Sequence, residues 1–335
     1  MTAPLLPPLR WLSAADVIEA MPPLKERLAL AERTMVALAT PDGAEMPPKI
    51  AIHPRPDAAF IHAMPAMLRG ADLFGDLVGM KWVAGFASNN ELGLPGISAL
   101  IIVNDPATGI PIAIMDGGPI TAQRTAAVSG LAMRRFGPLV EGRPVRAALI
   151  GAGVQGRTHL PVFGHVLPGV ALRLFDRDPR RAASLADEAA STPGIGQVEI
   201  AASAREAVEG SDVVLTAASF GPPEEGQSMT NAWLSPGATV IPIDYATYCA
   251  AEVAREAALF LVDEREQYLA NREAGNFDGY PEPAATLGEA ILSGMSRPAG
   301  RVVVTHLGVG LSDVVYADAI LHAAEAADLG VELPR

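Results

Sequence analysis

An apolar run, Val145-Arg-Ala-Ala-Leu-Ile150, leads directly into Gly151-x-Gly153-x-x-Gly156, and a second run, Ala171-Leu-Arg-Leu-Phe175, ends at Asp176, twenty residues beyond the last glycine. Glycines at this spacing do three things. Gly151 allows a tight turn out of a strand, Gly153 lets backbone amides approach a diphosphate, and Gly156 lets the following helix pack close to the strand. The helix expected over 155–166 adds the partial positive charge of its N-terminus, with Val154 and Gln155 as candidate cofactor contacts. Asp176 stands where a carboxylate takes ribose hydroxyls. Strand, glycine turn, helix and second-strand carboxylate together imply a dinucleotide site. Asp176 repels a 2′-phosphate and so favours NAD, whereas Arg177, Arg180 and Arg181 immediately after it could accommodate one, which leaves NADP open.

A second group of residues could handle a small acid. Asp116-Gly-Gly-Pro-Ile-Thr121-Ala-Gln-Arg124-Thr125 opens a helix that runs to about Phe136, with Thr121 as its expected cap. Arg124 is then either a carboxylate clamp, its planar fork matching a carboxylate bidentately, or a surface arginine. Thr125 beside it is a candidate cofactor contact. Lys49 and Lys81 adjoin apolar runs in a chain with few lysines. Each either points into a pocket, where desolvation lowers its pKa and allows proton transfer, or reaches out to solvent. Asp244 ends the run Ala238-Thr-Val-Ile-Pro-Ile243, at the kind of strand end where open α/β sheets bind ligands; it serves a substrate or caps the next helix. Thr216 and Ala217, in a run reaching Ser219, end another strand on the same edge and are candidates to line a nicotinamide.

Other polar residues carry less. His306 follows Val302-Val-Val-Thr305 and could reach the same cleft, whereas His159 and His165 have no partner that spacing reveals. No histidine and carboxylate spacing suits a metal. Asp263-Glu-Arg-Glu266 reads as a solvated loop with a helix start, and Cys249 as a small packed side chain.

These residues need a scaffold of two domains. The chain has 335 residues, 50% of them hydrophobic, 19% charged and 5% aromatic, the composition of a compact α/β enzyme. A net charge of −13 without a basic stripe argues against nucleic acid. A single cysteine excludes an intrachain disulfide. No apolar stretch is long enough to span a membrane or serve as a signal core, so a soluble cytoplasmic protein is expected. Apolar runs at 146–150, 171–175, 198–201, 212–217, 238–243, 258–262 and 301–305 alternate with helical patterns, which predicts a doubly wound parallel sheet. Before residue 130, runs at 58–64, 78–83, 97–103 and 110–115 predict an antiparallel sheet with helices at 13–20 and 24–39, and Asn104-Asp-Pro-Ala-Thr-Gly109 predicts a hairpin. The last segment, 312–329, has helical spacing and could return to the first domain.

Pro47-Pro-Lys49, Met64-Pro65, Gly79-Met-Lys-Trp82, Asn90 through Gly96, Ile114-Met-Asp-Gly117, Ile120-Thr-Ala-Gln-Arg-Thr-Ala-Ala-Val-Ser129 and Gly151-Ala-Gly-Val-Gln155 resemble the ornithine cyclodeaminase and mu-crystallin family over nearly the whole chain. The resemblance implies a Rossmann-type dinucleotide domain, residues 131–311, inserted into an α+β substrate and dimerisation domain made of both chain ends, 1–130 and 312–335. It implies that Arg124 and Lys81 bind a substrate carboxylate, that Lys49 replaces a substrate-binding arginine, and that Asp244 matches the catalytic aspartate. Two departures bear on the reaction. His62 stands where the cyclodeaminases have a glutamate for the distal amine, and Tyr245-Ala-Thr-Tyr248 replaces the usual turn after the catalytic aspartate. The Asp116 to Arg124 run is closer to the ketimine reductase branch. The expectation is a homodimeric NAD-dependent oxidoreductase, NADP being the other candidate cofactor, acting on an imino or amino acid, with Asp244 or Lys81 moving the proton at nitrogen. The alternatives are a cyclodeaminase releasing ammonia and a non-catalytic dinucleotide-binding protein.

Overall fold

The computed structural model describes residues 6–55, 59–70, 75–218 and 226–335. Residues 1–5, residue 58 at the head of an expected strand, and Ser219 lie outside them. The chain divides into two compact units, Met1–Arg124 with Val309–Arg335, and Thr125–Gly308.

The first unit begins with β1 (Leu9–Leu12), α1 (Ala14–Glu19), α2 (Leu24–Ala39), β2 (Ala44–Glu45), β3 (Ile50–Ile52), β4 (Phe60–Leu68), β5 (Leu77–Gly85), β6 (Ile97–Asn104) and β7 (Pro111–Asp116), and leads into α3 (Gly118–Phe136). Ser13 and Asp16 form a capping box at α1. The β6–β7 hairpin turns where expected, its Asp105 carboxylate accepting from Thr108 N at 2.7 Å. Helix α3 corrects the expected cap. It starts at Gly118, whose N–H donates to Asp116 Oδ1 at 2.8 Å, and Thr121 already lies inside it, with its N–H on Gly117 O. Asp116 competes successfully because its short carboxylate reaches forward two residues to the first free N–H.

The second unit alternates strand and helix: β8 (Arg146–Ile150), α4 (Val154–Val166), β9 (Val170–Phe175), α5 (Pro179–Ala190), β10 (Ile195–Ile200), α6 (Ala204–Val208), β11 (Val213–Thr216), β12 (Thr239–Pro242), α7 (Ala251–Arg255), β13 (Leu259–Val262), α8 (Arg265–Glu273), β14 (Ala285–Thr286), α9 (Leu287–Leu292) and β15 (Val302–Thr305). Its strands form one parallel sheet ordered β10-β9-β8-β11-β12-β15-β13-β14. Strands β11, β12, β13 and β15 are buried throughout, as a sheet covered on both faces requires. The chain runs outward from β8 to β10 and then crosses back to β11, so the crevice beyond β8 and β11 is the switch point where such sheets bind ligands. Asp263 corrects its expected place in a solvated loop. It is buried, and its carboxylate accepts from Gly308 N at 2.7 Å and Glu264 N at 2.9 Å, tying the end of β13 to the segment after β15.

The chain then returns to the first unit as α10 (Gly310–Ala326) and β16 (Val331–Leu333). The completed sheet runs β16-β1-β7-β6-β5-β4-β2, with β3 also on β4. It is mixed rather than antiparallel, because β1 adds parallel to β7. Strands β1, β2, β3 and β16 are too short to show an alternating pattern in sequence. Helix α10 is the centre of this unit, and its residues Gly310–Ala317 are all buried. Leu311, Val314 and Val315 pack with Ala66, Leu68 and Leu77 of β4 and β5. Close approach depends on glycine: a Cβ on Gly79 would meet Ile102 O at 2.5 Å and Val314 Cγ2 at 3.1 Å, and one on Gly310 would meet Met64 O at 2.8 Å. Along β5 the buried positions are Leu77, Gly79, Lys81, Val83 and Gly85, so strand alternation alone turns Lys81 into the core.

Candidate active site

The glycine turn after β8 has the shape its spacing requires. Gly151 adopts φ +106°, and a Cβ there would strike Ala217 O at 2.4 Å, so the turns following β8 and β11 touch. A Cβ on Gly156 would meet Gly151 O at 2.2 Å, which is why α4 can start so close to the strand. Gly153, the N-cap of α4, is different: a Cβ there would meet no protein atom within 4 Å. Its missing side chain therefore opens space rather than relieving a clash, and the N–H groups at the start of α4 have no side-chain cap. Beside them opens a cavity of about 630 Å³, lined in part by Gly151, Gly153, Asp176, Arg177, Ala217 and Tyr248. Asp176 is held by two backbone donors, Ala152 N at 2.7 Å and Asp178 N at 2.8 Å, which fixes its carboxylate on the cavity wall. Gln155 Oε1 is buried without a partner among the described residues. An uncapped helix start, an open glycine and an anchored carboxylate fit a dinucleotide diphosphate and ribose. The other expected contacts lie off this wall: Val154 is exposed, Thr216 and Thr125 are buried, and Gly156 packs the helix. Ser228 and Thr247 also line the cavity and carried no signal in sequence.

At the carboxyl end of β12, Asp244 is 4% exposed. Its Oδ2 accepts from Ala218 N at 3.2 Å. Thr216 lies near enough to act on its charge, yet neither Thr216 Oγ1 nor Asp244 Oδ1 completes a hydrogen bond among the described residues. Burial pushes the carboxyl up to about 6, so near neutral pH it exists in both protonation states. The next two residues, Tyr245 and Ala246, adopt φ +54° and +59°. Two successive left-handed residues other than glycine cost about 1 kcal/mol or more each. The turn is held by Tyr245, whose hydroxyl donates to Leu307 O at 3.0 Å, and by Gln227 N on Thr247 O at 2.9 Å. This bend carries Thr247 and Tyr248 from Asp244 to the cavity wall.

In the first unit, three expected or newly found groups meet in the core. Lys81 Nζ lies 2.5 Å from Asp313 Oδ2, and Arg124 Nε donates to Asp313 Oδ1 at 3.1 Å. Lys81 is 1% exposed, Arg124 6% and Asp313 0%. Lys81 therefore does not reach out to solvent. Desolvation lowers its pKa from the ordinary 10.5 to about 7; Asp313 opposes the shift, while Arg124 and Lys49 add to it. The Nε edge of Arg124 is committed to Asp313. His62 stacks on Phe60 with ring centroids 4.4 Å apart and is held near 4, first by burial and then by Lys49, His53 and Lys81, so it is neutral at pH 7. Asp313 was not anticipated, although a single acid between Leu307 and Tyr316 was a readable sign of a buried ion pair.

His159 also has a partner that sequence spacing did not reveal: its Nε2 lies 2.9 Å from Ser129 Oγ, which lies 2.9 Å from His306 Nε2. Cys249 is fully buried, as a packed side chain should be, and its thiol is pushed up to about 12. Among the described residues no group of three or more histidine, cysteine or carboxylate side chains could hold a metal, and no helix is long and apolar enough to cross a membrane.

Comparison with known proteins agrees with this geometry. The model of the ornithine cyclodeaminase/mu-crystallin family matches residues 13–327. The chain is 32% identical over 333 residues to nodulation efficiency protein NfeD of Rhizobium meliloti, covering 97% of this chain and 98% of that one. It is 31% identical over 307 residues to ketimine reductase mu-crystallin of Mus musculus, 89% of each chain. Among solved structures, Thermococcus litoralis Δ1-pyrroline-2-carboxylate reductase, in complex with NADH and L-proline, is similar with a TM-score of 0.82 and 26% identity, covering 97% of this chain and all of that one. An archaeal alanine dehydrogenase dimer with bound NAD shares the fold, with a TM-score of 0.81 and 23% identity over 97% of this chain and 99% of that one. With its parallel dinucleotide-type sheet and its mixed sheet from both chain ends, the chain belongs to the ornithine cyclodeaminase/mu-crystallin family.

Proposed function

We propose that the protein is an NAD-dependent oxidoreductase that interconverts an imino acid and an amino acid, most simply as an imine reductase. The observation that carries this reading is the pair of basic side chains Lys81 and Arg124, held together on one buried carboxylate, Asp313. Arg124 and Lys81 hold the substrate carboxylate, with Lys49 adding positive charge. When bound, a reduced nicotinamide supplies hydride to the α-carbon. The electron pair of the C=N bond then stays on nitrogen, and the proton that nitrogen needs comes from Asp244, whose pKa near 6 suits proton donation near neutral pH. His62 supports reduction over cyclodeamination: a distal amine calls for a carboxylate, and this imidazole is neutral, with lysines and a histidine acting on it. The test is consumption of NADH with a panel of 2-oxo acids plus ammonia or methylamine, and with preformed cyclic imines. Consumption that requires amine or imine supports the reading; ammonia release from a diamino acid without net NADH loss assigns a cyclodeaminase instead.

Asp176 supports NAD over NADP, because its anchored carboxylate would face a 2′-phosphate at close range. Asp176→Asn keeps an acceptor for a backbone N–H and removes the charge. It is expected to lower the NADH to NADPH ratio of kcat/KM by about tenfold or more; an unchanged ratio would show that Arg177 and its neighbours set the preference.

A homodimer is also proposed. Ile50, Ala63, Trp82 and Leu100 stand in register across β3, β4, β5 and β6, and Ile50, Trp82 and Leu100 are 60%, 44% and 42% exposed. An apolar row of this kind on a sheet face suits a second copy of the same chain. Trp82→Glu is expected to convert a dimer to a monomer in sedimentation at micromolar concentration, and an unchanged mass would remove this face from the interface.

A further inference from the structure

Three buried polar residues of the second unit remain outside the scheme above. His159 on α4, Ser129 on α3 and His306 after β15 are 0%, 0% and 3% exposed. They form an unbroken chain: His159 Nδ1 lies 2.6 Å from Gln155 O, His159 Nε2 lies 2.9 Å from Ser129 Oγ, and Ser129 Oγ lies 2.9 Å from His306 Nε2. The direction of each hydrogen bond follows from the atoms. A carbonyl only accepts, so His159 Nδ1 carries a proton. Burial holds His159 near 4, so at neutral pH it is uncharged and its Nε2 bears a lone pair. Ser129 must donate its hydroxyl proton to that lone pair. A hydroxyl has one proton, so Ser129 can only accept from His306, and His306 Nε2 must be the N–H. The opposite tautomer of His306 would set two lone pairs against each other in a buried site, leaving both without a proton.

His306 also has a defined place. Strands β12 and β15 are neighbours, and Thr305 Oγ1 donates to Pro242 O at 2.7 Å, so His306 follows a strand end bonded to the one that leads to Asp244. We propose that Gln155, His159 and Ser129 form a one-way hydrogen-bond chain that fixes His306 as its Nε2–H tautomer, making Nδ1 its basic atom and His306 a second proton-holding group beside Asp244 on the carboxyl edge of the sheet. The chain starts at the carbonyl of Gln155, in the first turn of the glycine-turn helix. The orientation of His306 is thus set by the same segment that forms the dinucleotide cradle. Ser129 and His159 are positioning residues in this scheme. Only the kinetic consequence rests on the oxidoreductase reading; the tautomers do not.

The test is two-bond ¹H–¹⁵N correlation spectroscopy of histidine-labelled protein at neutral pH, with His159 and His306 assigned through His159→Gln and His306→Gln. Opposite tautomers are expected, Nδ1–H for His159 and Nε2–H for His306. An Nδ1–H tautomer at His306, or the same tautomer at both, overturns the proposal. Ser129→Ala is expected to release His306 into a mixture of tautomers and to lower kcat at least about tenfold with dinucleotide affinity retained. If Ser129→Ala does not fold, the wild-type spectrum decides the tautomers, and His306→Gln supplies the kinetic arm with the same expected loss. Expected tautomers with unchanged kcat in a folded variant overturn the proton-holding role, whereas absence of any NADH-linked activity in the wild type counts against the oxidoreductase reading and leaves the tautomer result standing.

Discussion

Asp313→Asn is expected to destabilise the protein by roughly 3–5 kcal/mol near pH 7, because it strips the shared counter-charge from two buried cations. The side chain keeps its size, so the effect is electrostatic. Asp313 is the group that opposes desolvation of Lys81, and without it the pKa of Lys81 falls further below its wild-type value of about 7. The sign of the pH dependence follows. The folded-state pKa of Lys81 lies below its ordinary 10.5, so the unfolded chain binds more protons between about 7 and 10.5, and the contribution of this residue to stability rises with pH across that window. Below 7 the wild-type protein still gains from the charged Lys81 on Asp313, whereas the variant has no such partner. The stability gap is therefore expected to widen as pH falls from 8 to 6. Denaturant unfolding at several pH values measures it; two parallel stability curves with a small offset would mean that the triad has little energetic weight.

Arg124→Ala is expected to reduce kcat/KM for the carboxylate substrate by roughly 10²–10³-fold while leaving NADH affinity unchanged. The arginine is held by one edge on Asp313, so its loss removes a fork already oriented for a carboxylate rather than one that must be ordered on binding. Arg124→Lys should recover little, because an ammonium cannot form the two parallel bonds. Asp313 keeps Lys81 in Arg124→Ala, so this variant should be more stable than Asp313→Asn. Equal losses of substrate and dinucleotide affinity, measured by NADH fluorescence and steady-state kinetics, would contradict the assignment of Arg124 to the carboxylate.

Much of this arrangement was legible in the sequence, for identifiable reasons. Most of the parallel strands are apolar runs separated by helices, and the glycine turn carries its function in its spacing, so β8, α4, β9 and Asp176 could be read directly. Lys81 was readable as a candidate because it interrupts an apolar strand, but only strand alternation in the folded sheet settles that it points inward. Strands β1 and β16 were hidden because three or four residues give no period. The cap of α3 falls to Asp116 rather than Thr121 because Asp116 lies outside the helix pattern and reaches two residues forward to Gly118 N. The link from His159 to Ser129 joins two helices 30 residues apart in sequence, and no local spacing rule describes such a pair. Tyr245 and Ala246 likewise gave no sign of left-handed backbone, since neither is the glycine that usually marks it.

The most direct test of the central claim follows the hydride. NADH carrying deuterium at both C4 positions, incubated with the protein and whichever imine or oxo acid plus amine it consumes, should yield an amino acid with one deuterium on the α-carbon, in amount equal to the NADH oxidised. An unlabelled product, or NADH oxidised without any amino acid formed, would contradict an imino-acid reductase.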